Sequence, residues 1–344
     1  MKSQRNSLFR RKATYAFISI SLLSIKKYCS GPEAKKKDLS GKLVVVTGAS
    51  DGIGIPTTEQ LLKSGAKVIL ACRNEKKTQN MISRLDKTIQ SNASFMKLDL
   101  SSFKSVKDFS DEFTRKHAKL DILVNNAGIF SPSFSTTEDG IESTLQVNTL
   151  SPMLLTNQLL PLIEKAEGRI VNLSSLAHKD GGFTPETAKQ WMKDDKIYNQ
   201  QSYSSTKQYS FSKLGNVYFT QYLKEYCESK NIKVLTGSVH PGVIHTGLSR
   251  DLHVFFKVIG FVLYPLALLT FKSPYRGAQT SLHLCYLDSK DFKNGEYYSD
   301  CAVGYLYPQA QFSEKEKRYS YMEWARSTLN KHGEKHGYQY NISL

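Results

Sequence analysis

Residues 42–54 read KLVVVTGASDGIG, a short aliphatic and β-branched run that gives way to three glycines within seven positions. The run KLVVVTG (42–48) predicts a strand. Gly48, Gly52 and Gly54 then let the chain turn tightly and bring its backbone close to a pyrophosphate. A helix opening at this point would hold that anion with its first N–H groups and its dipole, and Pro56 suits its first turn. A glycine pattern alone is a weak signal. Placed after a strand and before a helix, it points to dinucleotide binding.

The same alternation continues downstream. Further strands are expected at KVILACR (67–73), SFMKLDL (94–100), LDILVNN (120–126), RIVNLSS (169–175) and KVLTGSVHP (233–241). Helix-length stretches such as Thr57–Ser64 and Ser102–His117 lie between them. Continuous Val/Ile/Leu strands separated by helices imply a parallel sheet covered on both faces, an α/β fold of the doubly wound Rossmann type. No composition break lies inside 40–310, so one domain is expected, over 38–330. Residues 313–330 read as an amphipathic helix with Trp324 inward, and 331–344 as a polar, frayed tail.

The net charge of +16 invites a nucleic-acid reading, but its distribution argues against one. Residues 1–37 hold ten Lys or Arg and a single acid, Glu33, and the remaining excess is spread along the chain. This arm frames an apolar stretch, Ala13–Ile25, too short for a spanning helix of about 20 residues. A targeting segment, a short membrane anchor and a mitochondrial presequence all suit it. The arm is expected to stand outside the fold, and the protein to be membrane-associated, at the endoplasmic reticulum or the mitochondrion. Five scattered cysteines without a Cys-x-x-Cys speak for reduced thiols, and neither they nor the histidines have metal-ligand spacing.

The second strand ends in ACRN. An acid at its end would take a ribose 2′-OH, whereas Arg73 favours a 2′-phosphate, so NADP is expected over NAD. Asp51 inside the glycine turn works against that choice. Asp99, ending the third strand, is placed to accept from the adenine amino group.

Together, TGASDGIG, NNAG (125–128), the Ser closing VNLSS, a Tyr-x-x-x-Lys helix and HPG (240–242) resemble the short-chain dehydrogenase/reductase family over residues 40–325. LACRN, SSLAH, YSFSKLGNVYFTQ, VHPGVIHT, GAQTSLHL and GEYYSDC resemble its retinol-dehydrogenase-like branch. The resemblance implies that Thr47, Gly48, Gly52 and Gly54 hold the pyrophosphate, with Ser50 and Ile53 in the same turn. Asn125, Ala127 and Gly128 would shape the floor beneath the adenosine side. Asn148 would organise water near the lysine, Ser175 would bond the substrate oxygen, and Pro241, Gly242 and Thr246 would border the carboxamide. Ser151 departs from the branch, which usually has Gly there.

The helix raises a choice, because YSSTKQYSFSK (203–213) contains Tyr-x-x-x-Lys twice. Six residues are about 240° around a helix, so Tyr203 and Tyr209 cannot both face one cofactor. The family pattern wants Ser before the Lys and a small residue two after it. Ser212 and Gly215 meet that around Lys213; Thr206 and Tyr209 do not around Lys207. Tyr209 and Lys213 are therefore the expected acid/base pair, both also contacting the cofactor. A free phenol titrates near 10, so work as a base near neutrality requires a fall of about 3, to which a lysine one turn away and a cationic nicotinamide contribute.

Residues 254–271 are almost wholly apolar and follow the HPG loop, within an expected lid over 252–272 that closes on a lipophilic substrate and touches a membrane surface. The expected activity is NADP-dependent interconversion of a lipophilic alcohol and its carbonyl, of retinoid, steroid or fatty-aldehyde type. A catalytically idle subunit of a membrane assembly is the alternative, against which the complete set Asn148, Ser175, Tyr209 and Lys213 argues. A second copy of the chain remains a candidate partner; nucleic acid and metal are not expected.

Overall fold

The computed structural model describes residues 30–193, 203–244, 271–311, 313–338 and 340. Seven parallel strands form the sheet: β1 (Leu43–Thr47), β2 (Lys67–Cys72), β3 (Ala93–Lys97), β4 (Ile122–Asn125), β5 (Arg169–Leu173), β6 (Leu235–His240) and β7 (Tyr297–Ser299). The two-residue β8 (Ala302–Val303) runs antiparallel to β7 at one edge. The order 3-2-1-4-5-6-7-8 reverses direction between β1 and β4, and the cleft at their carboxyl ends is where such sheets take ligands.

Period-two alternation assigns the strand side chains to two cores. Val44 and Val46 point to one face, under α1 (Gly54–Lys63), α2 (Glu75–Ser83) and α7 (Pro274–Tyr286). Val45 points to the other, under α3 (Phe103–Lys116), α4 (Ser151–Lys165), α6 (Ser205–Ser229) and α8 (Lys315–His336). A shorter helix, α5 (Pro185–Lys193), lies on α8. Trp324 and Tyr321 of α8 pack on Phe211 of α6, with ring centroids 5.8 and 5.1 Å away, so Trp324 does face inward. The expected doubly wound α/β sheet, helices on both faces, is what the chain forms.

Three expectations need correction. The helix over 313–330 continues to His336, and Tyr340 beyond it is buried, its hydroxyl 2.7 Å from His332 Nδ1. His332 Nε2 lies 2.9 Å from Asp139, so the described part of 331–344 is docked, not frayed. The last eight residues of the arm, 30–37, lie along α7. Glu33 pairs with Arg276 at 2.8 Å, Gln279 Oε1 accepts from the Ala34 N–H at 3.0 Å, and Lys37 pairs with Asp288. The arm's one acid thus helps fasten it to the domain. Lastly, β7 and β8 arise within and just after GEYYSDC, where no strand was expected.

The apolar stretch Ala13–Ile25, most of the lid and Thr246 lie outside the described residues. Among the described residues no helix is long and apolar enough to cross a membrane, and Cys72, Cys227, Cys285 and Cys301 are free thiols.

Candidate active site

The glycine turn is built against β4. Thr47 Oγ1 accepts from the Asn126 and Ala127 N–H groups at 3.0 Å each, and Asn126 Nδ2 donates to Thr47 O at 2.9 Å. Gly48 and Gly52 have positive φ, +63° and +48°. A Cβ on Gly54 would stand 2.2 Å from Gly48 O, and one on Gly48 3.0 Å from Ala127 Cα. Side chains are shut out, which leaves the backbone bare for a pyrophosphate. Asn74 caps α2 and Ser102 caps α3, whereas α1 has no side-chain cap. The Gly54 N–H is taken by Asp51 O at 2.8 Å and Pro56 has none, so the Ile55 N–H is the first-turn donor left for an anion, and the turn fits a dinucleotide.

Beside this turn a groove of about 510 Å³ is lined by Ser50, Asn74, Lys76 and Lys77, among others. Asp51, which seemed to oppose phosphate binding, accepts from the Gly52 N–H at 2.8 Å and pairs with Lys77 of α2. Its charge is thereby offset. Arg73 is mostly exposed at the end of β2, its Nε 3.9 Å from Asp99. Asp99 also accepts from the Ser101 N–H at 2.9 Å, so the two expected adenosine contacts are neighbours.

Asn125 is placed differently from the floor residue expected of it. Its amide donates to Thr156 Oγ1 at 3.0 Å and Asn172 Oδ1 at 2.9 Å, fastening β4 to α4 and β5. The side chain that secures the turn is its neighbour, Asn126. NNAG carried that signal, but the strand's alternation, which sends the two amides to opposite sides, was needed to separate them.

Asn148 lies in a π-turn, Gln146–Leu150, that leads into α4. Its Oδ1 accepts from the Ile129 N–H at 2.7 Å, while Nδ2 donates to Ile129 O at 2.9 Å and to Ser212 Oγ at 3.1 Å. Ser151, the departure noted above, is fully buried and donates to Leu100 O at 2.6 Å, so its hydroxyl is satisfied.

The doubled tyrosine pattern resolves in an unexpected way. Helix α6 begins at Ser205, so Tyr203 is not on it, and the 240° argument does not apply. Tyr203 donates to Ser131 O at 2.8 Å and packs edge-on to Phe134, while Lys207 is exposed. Tyr209 lies within the helix, backed by Phe130, with its phenol near the Ser175 hydroxyl. Ser174 turns away and donates to Lys213 O at 2.7 Å. Lys213 is buried, donates to Leu173 O at 3.0 Å, and sits 5.5 Å from the Tyr209 ring centre. A Cβ on Gly128 would lie 3.3 Å from Lys213 Nζ and 3.4 Å from Asn148 Oδ1, so Gly128 keeps that space open. One cluster therefore holds Asn148, Ser175, Tyr209 and Lys213.

Burial pushes the Tyr209 phenol up to about 12, with the nearby Ser175 hydroxyl only partly offsetting it. Lys213 is not among the causes of that shift. Burial also brings Lys213 down to about 8, which leaves it mostly charged near neutrality. Past β6, Pro241 is buried and Gly242 turns at φ +86°. Ile53 and Ile244 both approach Gly277 of α7, at 3.5 and 2.2 Å from a Cβ built there.

Comparison with known proteins agrees with this arrangement. The model of the family described as short chain dehydrogenase matches residues 42–185. Retinol dehydrogenase 12 of Bos taurus is 37% identical over 306 residues, covering 88% of this chain and 92% of its own. Retinol dehydrogenase 14 of Homo sapiens is 35% identical, covering 79% and 82%. Among solved structures, an uncharacterized protein from Mycobacterium paratuberculosis superposes with a TM-score of 0.66 at 25% identity, over 86% of this chain and 98% of that one. A sheet of this order, a glycine turn fitted to a dinucleotide and relatives alike over most of their length lead to one conclusion: the chain belongs to the short-chain dehydrogenase/reductase family, in its retinol-dehydrogenase-like branch.

Proposed function

We propose that this protein is an NADP-dependent oxidoreductase that interconverts a lipophilic alcohol and its aldehyde or ketone, with Tyr209 as acid/base. The observation that carries the reading is the convergence of Tyr209, Ser175, Lys213 and Asn148 beside the glycine turn. A nicotinamide held at this site would supply or accept the hydride. The chain's own residues handle the proton. Ser175 and the Tyr209 hydroxyl, close neighbours, form a pair that grips a substrate oxygen. A phenol held near 12 keeps its proton at neutral pH, so Tyr209 is set to donate to a carbonyl oxygen as it becomes an alcohol. Lys213, charged below about 8, stabilises the phenolate left behind, and Asn148 holds the loop and helix that flank it. The relatives' names support a retinoid-like substrate, and the apolar sequence of 254–271 supports a lipophilic one near a membrane surface.

The direct test is a spectroscopic assay of NADPH and NADH oxidation with retinal, steroid ketones and medium-chain aldehydes. Nucleotide binding without turnover of any of them would sink the enzymatic reading. Arg73 supports the choice of NADP, because a charge-assisted hydrogen bond contributes about 1.5–3 kcal/mol. Arg73→Asp is expected to weaken NADPH binding by about ten- to a hundredfold while sparing NADH. Equal loss for both cofactors would refute the assignment.

A pH profile follows from the same groups. For the free protein, reductive kcat/KM should be level through neutrality and fall above about pH 8, as Lys213 loses its proton. Tyr209, titrating near 12, does not limit it there. A profile that stays level to pH 10 would remove the lysine's charge from the mechanism.

A further inference from the structure

Lys272, two residues before α7, is almost fully buried, and nothing in the chemistry above uses it. Three distant parts of the chain meet on it. Its N–H donates to Val243 O at 2.8 Å, and Lys272 pairs with Ile244 in an isolated parallel bridge. Its stem covers Gly242: a Cβ built there would lie 2.6 Å from Lys272 Cδ and 2.8 Å from Cε. Its ammonium pairs with Asp300, which holds a left-handed φ of +51° just past β7. Gly31 closes over that pair, since a Cβ on it would stand 2.7 Å from Asp300 Oδ1 and 2.9 Å from Lys272 Nζ. Gly31 is itself held, its carbonyl accepting from Arg276 Nη1 at 3.2 Å while Arg276 Nη2 reaches Glu33.

A buried ammonium is tolerated only when paired, and Asp300 meets that need. The pairing fixes the far end of a stem whose Cδ and Cε press on the loop that follows β6. The structure assigns to Lys272, fixed by Asp300 and roofed by Gly31, the role of positioning residue for the 241–244 backbone at the nicotinamide end of the cofactor site. The arm's last residues are thereby coupled to the cofactor. This inference rests on the proposed nicotinamide-cofactor reading, and it adds a contact network outside the Asn148–Ser175–Tyr209–Lys213 cluster.

The test compares two ligands of the full-length protein: NADPH, and 2′-phospho-ADP-ribose, which lacks the nicotinamide. Lys272→Met keeps the stem and removes the charge; Asp300→Asn keeps the shape and loosens the anchor, and serves if the first variant does not fold. Both are expected to bind NADPH at least fivefold more weakly by calorimetry, with the affinity for 2′-phospho-ADP-ribose changed less than twofold. Parallel loss for both ligands would mark Lys272 as structural and overturn the inference. Unchanged NADPH binding in both variants would overturn it too, leaving the cofactor reading intact. A wild-type protein that binds neither ligand would overturn both together.

Discussion

Tyr209→Phe is expected to bind cofactor like the wild type and to lose turnover by about 10²–10⁴-fold, the usual contribution of a positioned proton donor. The substitution removes one oxygen and leaves the ring against Phe130, so the fold has little reason to change. It takes away the only group in the cluster set to deliver a proton to a nascent alkoxide. Tyr203→Phe is the matched control. Its hydroxyl bonds Ser131 O, so about 1 kcal/mol of stability is at stake and turnover should stay near wild type. Steady-state kinetics on both variants decide the matter. Loss of activity in the Tyr203 variant alone would overturn the assignment.

Gly54→Ala is expected to abolish measurable dinucleotide binding at micromolar cofactor. The added methyl would meet Gly48 O at 2.2 Å and Ala49 Cα at 2.9 Å, both backbone atoms of the turn itself. No rotamer relieves such a clash. The turn must open, at a cost of about 1–3 kcal/mol typical of overpacking, and its opening moves the N–H groups meant for the pyrophosphate. Gly215→Ala offers a contrast at nearly the same distance, 2.1 Å, but against the Tyr321 hydroxyl in the packed core between α6 and α8. There the penalty should appear in the melting temperature, with cofactor affinity retained. Equal effects of the two substitutions on affinity would refute the distinction.

Much of the fold was legible in the sequence because its information is local. β1, β2 and β4 are short aliphatic runs bounded by turn residues, and the glycine turn declares itself within eight positions. What escaped depends on distant partners. β7 and β8 have three and two residues, with Asp300 and Cys301 at left-handed φ between them, so no periodicity could develop. The described end of the tail is ordered by a histidine meeting Asp139 almost two hundred residues earlier. In the candidate site, Ser212 and Gly215 selected Tyr209, and the structure gives each a contact: Ser212 Oγ receives Asn148, and Gly215 gives room to Tyr321 and Thr149. The geometric half of that choice was misplaced, since nothing in YSSTKQYSFSK marks the helix as starting at Ser205. The rise that burial gives the phenol's pKa was hidden for a related reason. Desolvation depends on what surrounds the ring, and sequence spacing does not contain it.

The antiparallel β8 has one more consequence. Sheets of this kind end in unpaired N–H and C=O groups, which can recruit a neighbouring molecule's strand. Here β7 is already covered on that side, and the covering strand is only two residues long, with both side chains exposed. A ladder so brief is a poor template for another chain. A continuous intermolecular sheet across this edge is blocked by that last strand.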